Sequence, residues 1–294
     1  MKYNRHIIAI RGDNQAGHSG GLLNPETQYP VFSVNEKGNR VITAYEDAHL
    51  RPIQTMLWDL HQSAYNSIIK LAEKDPITFV EMGDLTQGNI FKDDLDINSL
   101  SEQTIAAYYN TKPWAKIAHE MYFVRGTGVH LWGEGSTETI LTMLLRRDFP
   151  KLSINIASHY LLDVGGFLID VAHHGPGPGK RAWLRGNEFS IYLRSILMDD
   201  IALNPDKMPN IVLRAHKHEF TRGIGFYQGG GKYYELPGII TPPFCFIGDH
   251  AQKTENSPSR MNMGMIAIEV INGQFHKLHP FVCSLDLRTL EFIQ

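Results

Sequence analysis

Fourteen of the 294 residues are histidine, and the neighbours of several of them are the groups that bind metals. His216 and His218 lie two residues apart, directly after the apolar run Ile211 to Ala215. On an extended segment alternate side chains share a face, so both imidazoles can serve one centre. His173 and His174 follow Phe167 to Ala172, Asp13 follows Ile7 to Ile10 after Arg11 and Gly12, and Asp84 closes Phe79 to Gly83. Gly126-Thr127, with His130 three residues on, closes Met121 to Arg125. Singly, each has a blander use: a strand-end aspartate more often caps a turn or helix, and paired histidines can lie in a solvated loop. Together, carboxylates and imidazoles without thiolates suit Mn2+, Fe2+ or Zn2+. A carboxylate flanked by two ligand sets has the layout of a two-metal hydrolytic centre, which holds a hydroxide nucleophile and stabilises charge on a phosphoryl oxygen. Cys245 and Cys283, the only cysteines, cannot form a disulfide framework or a four-thiolate zinc site.

The elements that must position these groups alternate between short apolar runs and longer helical ones, which is an α/β pattern. Strands are predicted over His6 to Ile10, Ile77 to Met82, Met121 to Arg125, Ile154 to Leu161, Phe167 to Ala172 and Ile211 to Ala215. Helices are predicted over Ala48 to Lys74, Ser101 to His119, Thr137 to Arg147 and Phe189 to Leu203. The first carries an apolar face of Leu50, Ile53, Leu57, Leu60, Ala64, Ile68 and Leu71 at helical spacing. Gly165 and Gly166 mark a tight turn, and Asn272-Gly273 marks a hairpin between Met265 to Ile271 and Phe275 to Phe281. Five polar clusters thus fall at five strand ends, and in open α/β sheets ligands bind at the carboxyl ends of strands.

This order of motifs, Asp13-x-Gln15, Gly83-Asp84, Gly126-Thr127 with His130, His173, then His216-x-His218, resembles the calcineurin-like metallophosphoesterase superfamily. Within it the chain is most similar to divergent metallophosphatases often found in phages and prophages. The resemblance implies two packed mixed β-sheets flanked by helices, a four-layer α/β/β/α sandwich, in a single domain over 1–294. A β-rich C-terminal part, from about residue 232, would complete the second sheet. It implies Asp13, Gln15 and His218 at a first metal, Asp84 bridging both, and Thr127, His173 and His216 at a second, with His130 acting on the leaving group. Gln15 stands where the family has His and Thr127 where it has Asn, so the centre should bind metal more weakly and favour Mn2+ or Mg2+ over zinc. Mn2+ is the foremost candidate for the two divalent ions, with Fe, Zn, Ni or Mg as alternatives. His174 and His18 are reserve ligands.

Around the centre, Lys180 and Arg181 end a Gly- and Pro-rich loop and could meet a substrate phosphate or simply be solvated. Arg125 and Arg214 are placed to orient a phosphate or a ligand carboxylate, and Pro242 to Pro258 either covers the site or connects the sheets. The expected activity is metal-dependent hydrolysis of a phosphoester by metal-bound hydroxide. One alternative is a nuclease acting on DNA or RNA; another is a catalytically weakened scaffold or nucleotide-binding protein. A net charge of −3 weighs against coating nucleic acid and toward a small substrate. No run is apolar enough to span a bilayer and no secretory leader is expected, which points to the cytoplasm.

Overall fold

A computed structural model describes residues 4–90, 94–130, 137–177, 179, 184–247 and 259–288. Thirteen strands and four helices are laid out among them. The chain begins with strand β1 (Arg5–Arg11), then a hairpin of β2 (Gln28–Val34) and β3 (Arg40–Asp47), helix α1 (Pro52–Ala72) and β4 (Ile77–Glu81). Next come α2 (Leu100–Ala115), β5 (Glu120–Val124), α3 (Thr137–Asp148), β6 (Ser153–Ala157), β7 (His159–Val164) and β8 (Phe167–Ala172). The rest is α4 (Asn187–Leu203), β9 (Ile211–Arg214), β10 (Thr221–Gly229), β11 (Lys232–Ile240), β12 (Arg260–Ile271) and β13 (Gln274–Asp286).

Two mixed sheets result. The first has the order β13-β12-β1-β4-β5-β6 and the second β10-β11-β9-β8-β7. In the first, β1, β4, β5 and β6 run parallel; in the second, β11, β9 and β8 do. Apolar side chains divide into three layers that follow from strand alternation. Ile8, Ile10, Val80 and Val124 of the first sheet meet Leu162, Ile169, Val171, Leu213 and Ile239 of the second. The opposite faces of the same strands, Ile7, Ala9, Phe79, Met121 and Phe123, pack on Leu57, Ala64, Ile68, Ala107, Trp114 and Leu141 of the three helices behind the first sheet. Phe189, Leu193 and Leu197 of α4 cover the outer face of the second sheet through Val212, Leu236 and Ile240. The result is an α/β sandwich of four layers.

Several sequence-based boundaries move, each for a local reason. The first helix starts at Pro52 because proline suits the first helical position, while Arg51 is extended and its N–H is capped by Gln54 Oε1 at 2.9 Å. The predicted strand from Ile154 to Leu161 is two strands that break at Ser158 and belong to different sheets. The C-terminal β region does not complete one sheet. β11 joins the second, with β10 at its edge, whereas β12 extends the first by pairing antiparallel to β1, and β13 pairs antiparallel to β12 at the edge. The hairpin over 28–47, which apolar periodicity does not predict, pairs only with itself and is exposed along almost its whole length. No helix among the described residues is long and apolar enough to cross a membrane.

Trp114 is fully buried, stacks on Phe79 with ring centroids 4.7 Å apart, and donates from Nε1 to His61 Nε2 at 2.9 Å. Trp114→Ala is expected to lower unfolding stability by about 3–5 kcal/mol, read as a lower denaturant midpoint at unchanged slope.

Candidate metal centre

The predicted groups converge at the carboxyl ends of five parallel strands. Asp13 and Gln15 follow β1, Asp84 follows β4, and Thr127 and His130 follow β5 in the first sheet. His173 and His174 follow β8, and His216 and His218 follow β9, in the second. Asp84 is the common point. Its Oδ2 lies 2.9 Å from His173 Nε2, 3.0 Å from Thr127 Oγ1, 3.7 Å from His130 Nε2 and 3.8 Å from His216 Nδ1. Its Oδ1 accepts from the Thr127 N–H at 2.6 Å. Thr127 Oγ1 also stands 3.2 Å from His173 Nε2 and 3.1 Å from His216 Nδ1. On the other side Asp13 Oδ1 is 3.7 Å from His218 Nε2, which meets the Gln15 side-chain amide at 3.1 Å. Asp13, Asp84 and His173 each offer a ligand atom within 4.8 Å of the others, as do His173, His174 and His216.

Backbone conformation sets these groups apart from ordinary loops. Asp13, Gln15, Asp84, His216 and His218 all have positive φ, between 42° and 69°. Among the described residues only Glu73 and Asn272 are the other non-glycine cases. The left-handed region costs a side-chain-bearing residue energy and collects where function requires it. Sequence pattern does not reveal this clustering, because none of the five is glycine. Glycine is required beside them: a Cβ on Gly126 would lie 2.1 Å from Asp84 Oδ1, and one on Gly83 would lie 2.9 Å from His173 Nδ1.

Electrostatics follow from burial. Asp13 and Asp84 are almost fully shielded from water. Burial opposes the charge of Asp84, yet hydrogen bonds from His173 and His216 hold its carboxyl well below the usual range. Asp13 is pushed up to about 7 by burial, with the neighbouring Asp84 charge adding to the rise. His173 is raised to about 9: burial opposes the cation, but the Asp84 carboxylate and the Met82 carbonyl outweigh it. Burial lowers His218 to about 3, so its ring is neutral and able to offer a lone pair. His173 Nδ1 lies 2.6 Å from the Met82 carbonyl and His130 Nδ1 lies 2.6 Å from the Gln87 carbonyl. Carbonyls only accept, so both rings carry a proton on Nδ1 and turn Nε2 toward Asp84.

These residues fit divalent cations on one further count. Asp13 Oδ1 is buried with no hydrogen-bond partner, a carboxyl oxygen whose ionised form costs free energy unless a cation meets it. The donor set of carboxylates, imidazoles, an amide and a hydroxyl matches borderline metals.

Other predicted residues lie elsewhere. His18 is buried; its Nδ1 accepts from the Gly20 N–H at 2.9 Å and its Nε2 faces Asp94 at 3.9 Å, so neither nitrogen is among those gathered at Asp84. Arg125 is exposed and its charge acts on the Tyr160 phenol. Arg214 does not face a substrate: it is buried and bound to Asp170 Oδ1 at 2.5 Å. Lys180 and Arg181 lie outside the described residues. The start of the Pro242 to Pro258 stretch is no lid. The Phe244 N–H donates to the carbonyls of Gly12 and Asp13 at 3.3 and 3.2 Å, and Phe244 is fully buried. Residues 248–258 lie outside the described set.

Comparison with family models gives no match, and comparison with curated proteins gives none. Among solved structures the chain is similar to the NAD nucleotidase NadN of Haemophilus influenzae, at 9% identity and a TM-score of 0.36. The likeness covers 94% of this chain and 49% of that one, so the chain spans about half the length of the structure it matches.

A cation held by these residues would have to displace the proton from His173 Nε2 and keep Asp13 ionised. Affinity for a divalent cation at these residues is therefore expected to rise with pH, with protons competing below about 9 at His173 and below about 7 at Asp13. Calorimetry at pH 6 and pH 8 in buffers of different ionisation heat checks this; proton release should accompany binding, most strongly at the lower pH. Gly126→Ala, whose Cβ would meet both the side chain and the backbone N of Asp84, should weaken binding of a divalent cation, read by the same calorimetry.

Proposed function

We propose that the chain is a metal-dependent hydrolase of phosphoester bonds, of the calcineurin-like metallophosphoesterase type. The observation that carries this reading is the gathering of carboxylate and imidazole groups around Asp84, four of them (Asp13, Asp84, His216 and His218) with left-handed backbone, beside an unpartnered carboxyl oxygen of Asp13. In this reading Asp13, Gln15, Asp84 and His218 hold one divalent cation, and Asp84, Thr127, His173 and His216 hold a second, with His174 in reserve. Mn2+ is the first choice, and Fe, Zn, Ni or Mg are alternatives. When bound, such ions supply Lewis acidity toward a phosphoryl oxygen and lower the pKa of water.

The chain's own residues have distinct tasks. Asp84 is fixed by four neighbours, so its carboxylate orientation is set before any ligand arrives. The Nδ1 proton of His130 is held by Gln87, which leaves Nε2 beside Asp84 to carry a proton to the leaving oxygen or to bind the charge that develops there. Burial of the carboxylates strengthens both interactions by excluding water. A small phosphoester is the favoured substrate class, consistent with the near-neutral charge.

With Mn2+ the purified protein should hydrolyse a generic phosphomonoester or phosphodiester. Asp84→Asn should lower kcat more than about 100-fold, beyond the loss typical of a residue behind the ligands. Cleavage confined to DNA or RNA, with steep salt dependence, would instead select the nuclease alternative. Mn2+ at about 100 times its Kd should add about 2.7 kcal/mol to stability. Absence of both metal-linked stabilisation and hydrolysis would refute the reading.

A further inference from the structure

Two ion pairs, each built on a buried arginine, stand behind the ligand cluster in matching positions. In the first sheet Arg11 donates to Glu81 Oε2 from Nε at 2.9 Å and from Nη2 at 2.6 Å, and both side chains are wholly inaccessible. In the second sheet Arg214, its side chain 1% exposed, donates to Oδ1 of the half-buried Asp170 at 2.5 Å, and the same oxygen meets His159 Nε2 at 3.0 Å. Each arginine lies two residues before a proposed ligand, Asp13 or His216, and each acid lies three residues before another, Asp84 or His173. Each pair therefore joins two neighbouring parallel strands whose next residues reach the centre.

The surroundings repeat the pattern. Arg11 also donates to the Asn110 carbonyl at 2.9 Å and Thr111 Oγ1 at 3.0 Å on α2, and meets His61 Nε2 of α1 at 3.1 Å. Arg214 meets the Tyr192 hydroxyl of α4 from Nε and Nη2 at 3.1 and 3.0 Å. Both guanidinium groups thus fasten a pair of ligand-bearing strands to the helix layer behind that sheet. Backbone bonds complete the link: Met82 N–H donates to the Arg11 carbonyl at 2.7 Å, and Ala215 N–H to the His173 carbonyl at 2.9 Å. Asn14 Nδ2 reaches Glu81 Oε1 at 3.0 Å, tying the residue next to Asp13 into the first pair. Buried ion pairs are poor sources of stability compared with apolar side chains of similar volume, so stability does not account for their repeated placement.

We propose that Arg11–Glu81 and Arg214–Asp170 are positioning pairs that set the spacing of the metal ligands across the two sheets. The inference rests on the metal reading above. It is tested by replacing each pair with apolar residues, Arg11→Met with Glu81→Leu and Arg214→Met with Asp170→Leu, in the full chain. Mn2+ is titrated by calorimetry, and bound Mn2+ is followed by electron paramagnetic resonance. The expected result is a metal-free melting temperature near that of the wild type, a Kd raised roughly 10- to 100-fold as for residues behind a metal site, and a broadened Mn2+ spectrum. Folded variants with wild-type affinity and spectrum would overturn the inference while leaving the metal reading intact. A wild-type protein that binds no Mn2+ would overturn both. Should a double variant fail to fold, Arg214→Lys and Glu81→Gln, which preserve volume, decide in the same way: a comparable rise in Kd supports the pairs' role and an unchanged Kd refutes it.

Discussion

The structure depends on a buried concentration of negative charge. Asp13, Glu81 and Asp84 are each at most 1% exposed and come from the ends of two adjacent strands. Carboxylates withdrawn from water are unfavourable unless cationic or hydrogen-bonding groups replace the lost hydration. Each acid is answered differently. Glu81 has the Arg11 guanidinium, Asp84 has His173 and the Thr127 N–H and hydroxyl, and Asp13 keeps one oxygen without a partner. The unequal answers separate Glu81 and Asp84, whose oxygens are all met by donors, from Asp13, which keeps one oxygen without a partner.

Answering these charges couples the two sheets. Starting at the first sheet, the Arg11 carbonyl accepts from Met82 N–H, and the Met82 carbonyl accepts from His173 Nδ1 in the second sheet. The His173 carbonyl accepts from Ala215 N–H, and the next amide, His216 N–H, donates to Asp13 Oδ2 at 3.2 Å, back in the first sheet. The circuit closes through four strand ends. Below it the apolar layer of Ile10, Val80, Val171 and Leu213 fixes the distance between the sheets. Packing alone tolerates small shifts of one sheet over another, whereas a closed circuit of directional bonds does not. The geometry of the centre is thus a property of the sandwich as a whole.

How much of this was legible in the sequence follows from which interactions are local. Apolar runs ending in polar residues locate β1, β4, β5, β8 and β9, and their ends carry the groups that the structure brings together. Ser158 carries no mark of a sheet change, because a strand continuing in one sheet and a strand crossing to another have the same apolar pattern. The hairpin over 28–47 is hidden for the opposite reason: with both faces exposed it needs no alternation. His18 illustrates the limit for side chains. Its proximity in sequence to Gln15 suggests a ligand, but the Gly20 N–H occupies its Nδ1. Arg11, Glu81 and Arg214 did carry a signal, each being a charge that ends an apolar strand, and Asp170 is a charge inside one. Such a charge must be paired if the strand is buried on both faces, and their partners become visible only with strand order.

Gln15 and Thr127 show why a departure from a motif is best judged by its contacts. As ligands, an amide and a hydroxyl are weaker than imidazole and an asparagine carbonyl. In the structure Thr127 does more than offer an oxygen: its N–H and hydroxyl donate to the two oxygens of Asp84, which a side chain lacking the hydroxyl would not do. Gln15 sits against His218, whose ring burial keeps neutral, and an amide can present either its NH2 or its oxygen at that position. Both residues therefore hold neighbouring ligands in orientation while contributing little charge of their own. Reduced ligand strength and increased ordering act in opposite directions on affinity. Under the proposed metal reading, weak oxygen donors whose orientation is fixed by their neighbours would suit ions that prefer oxygen ligands, with the directional precision coming from the residues behind them.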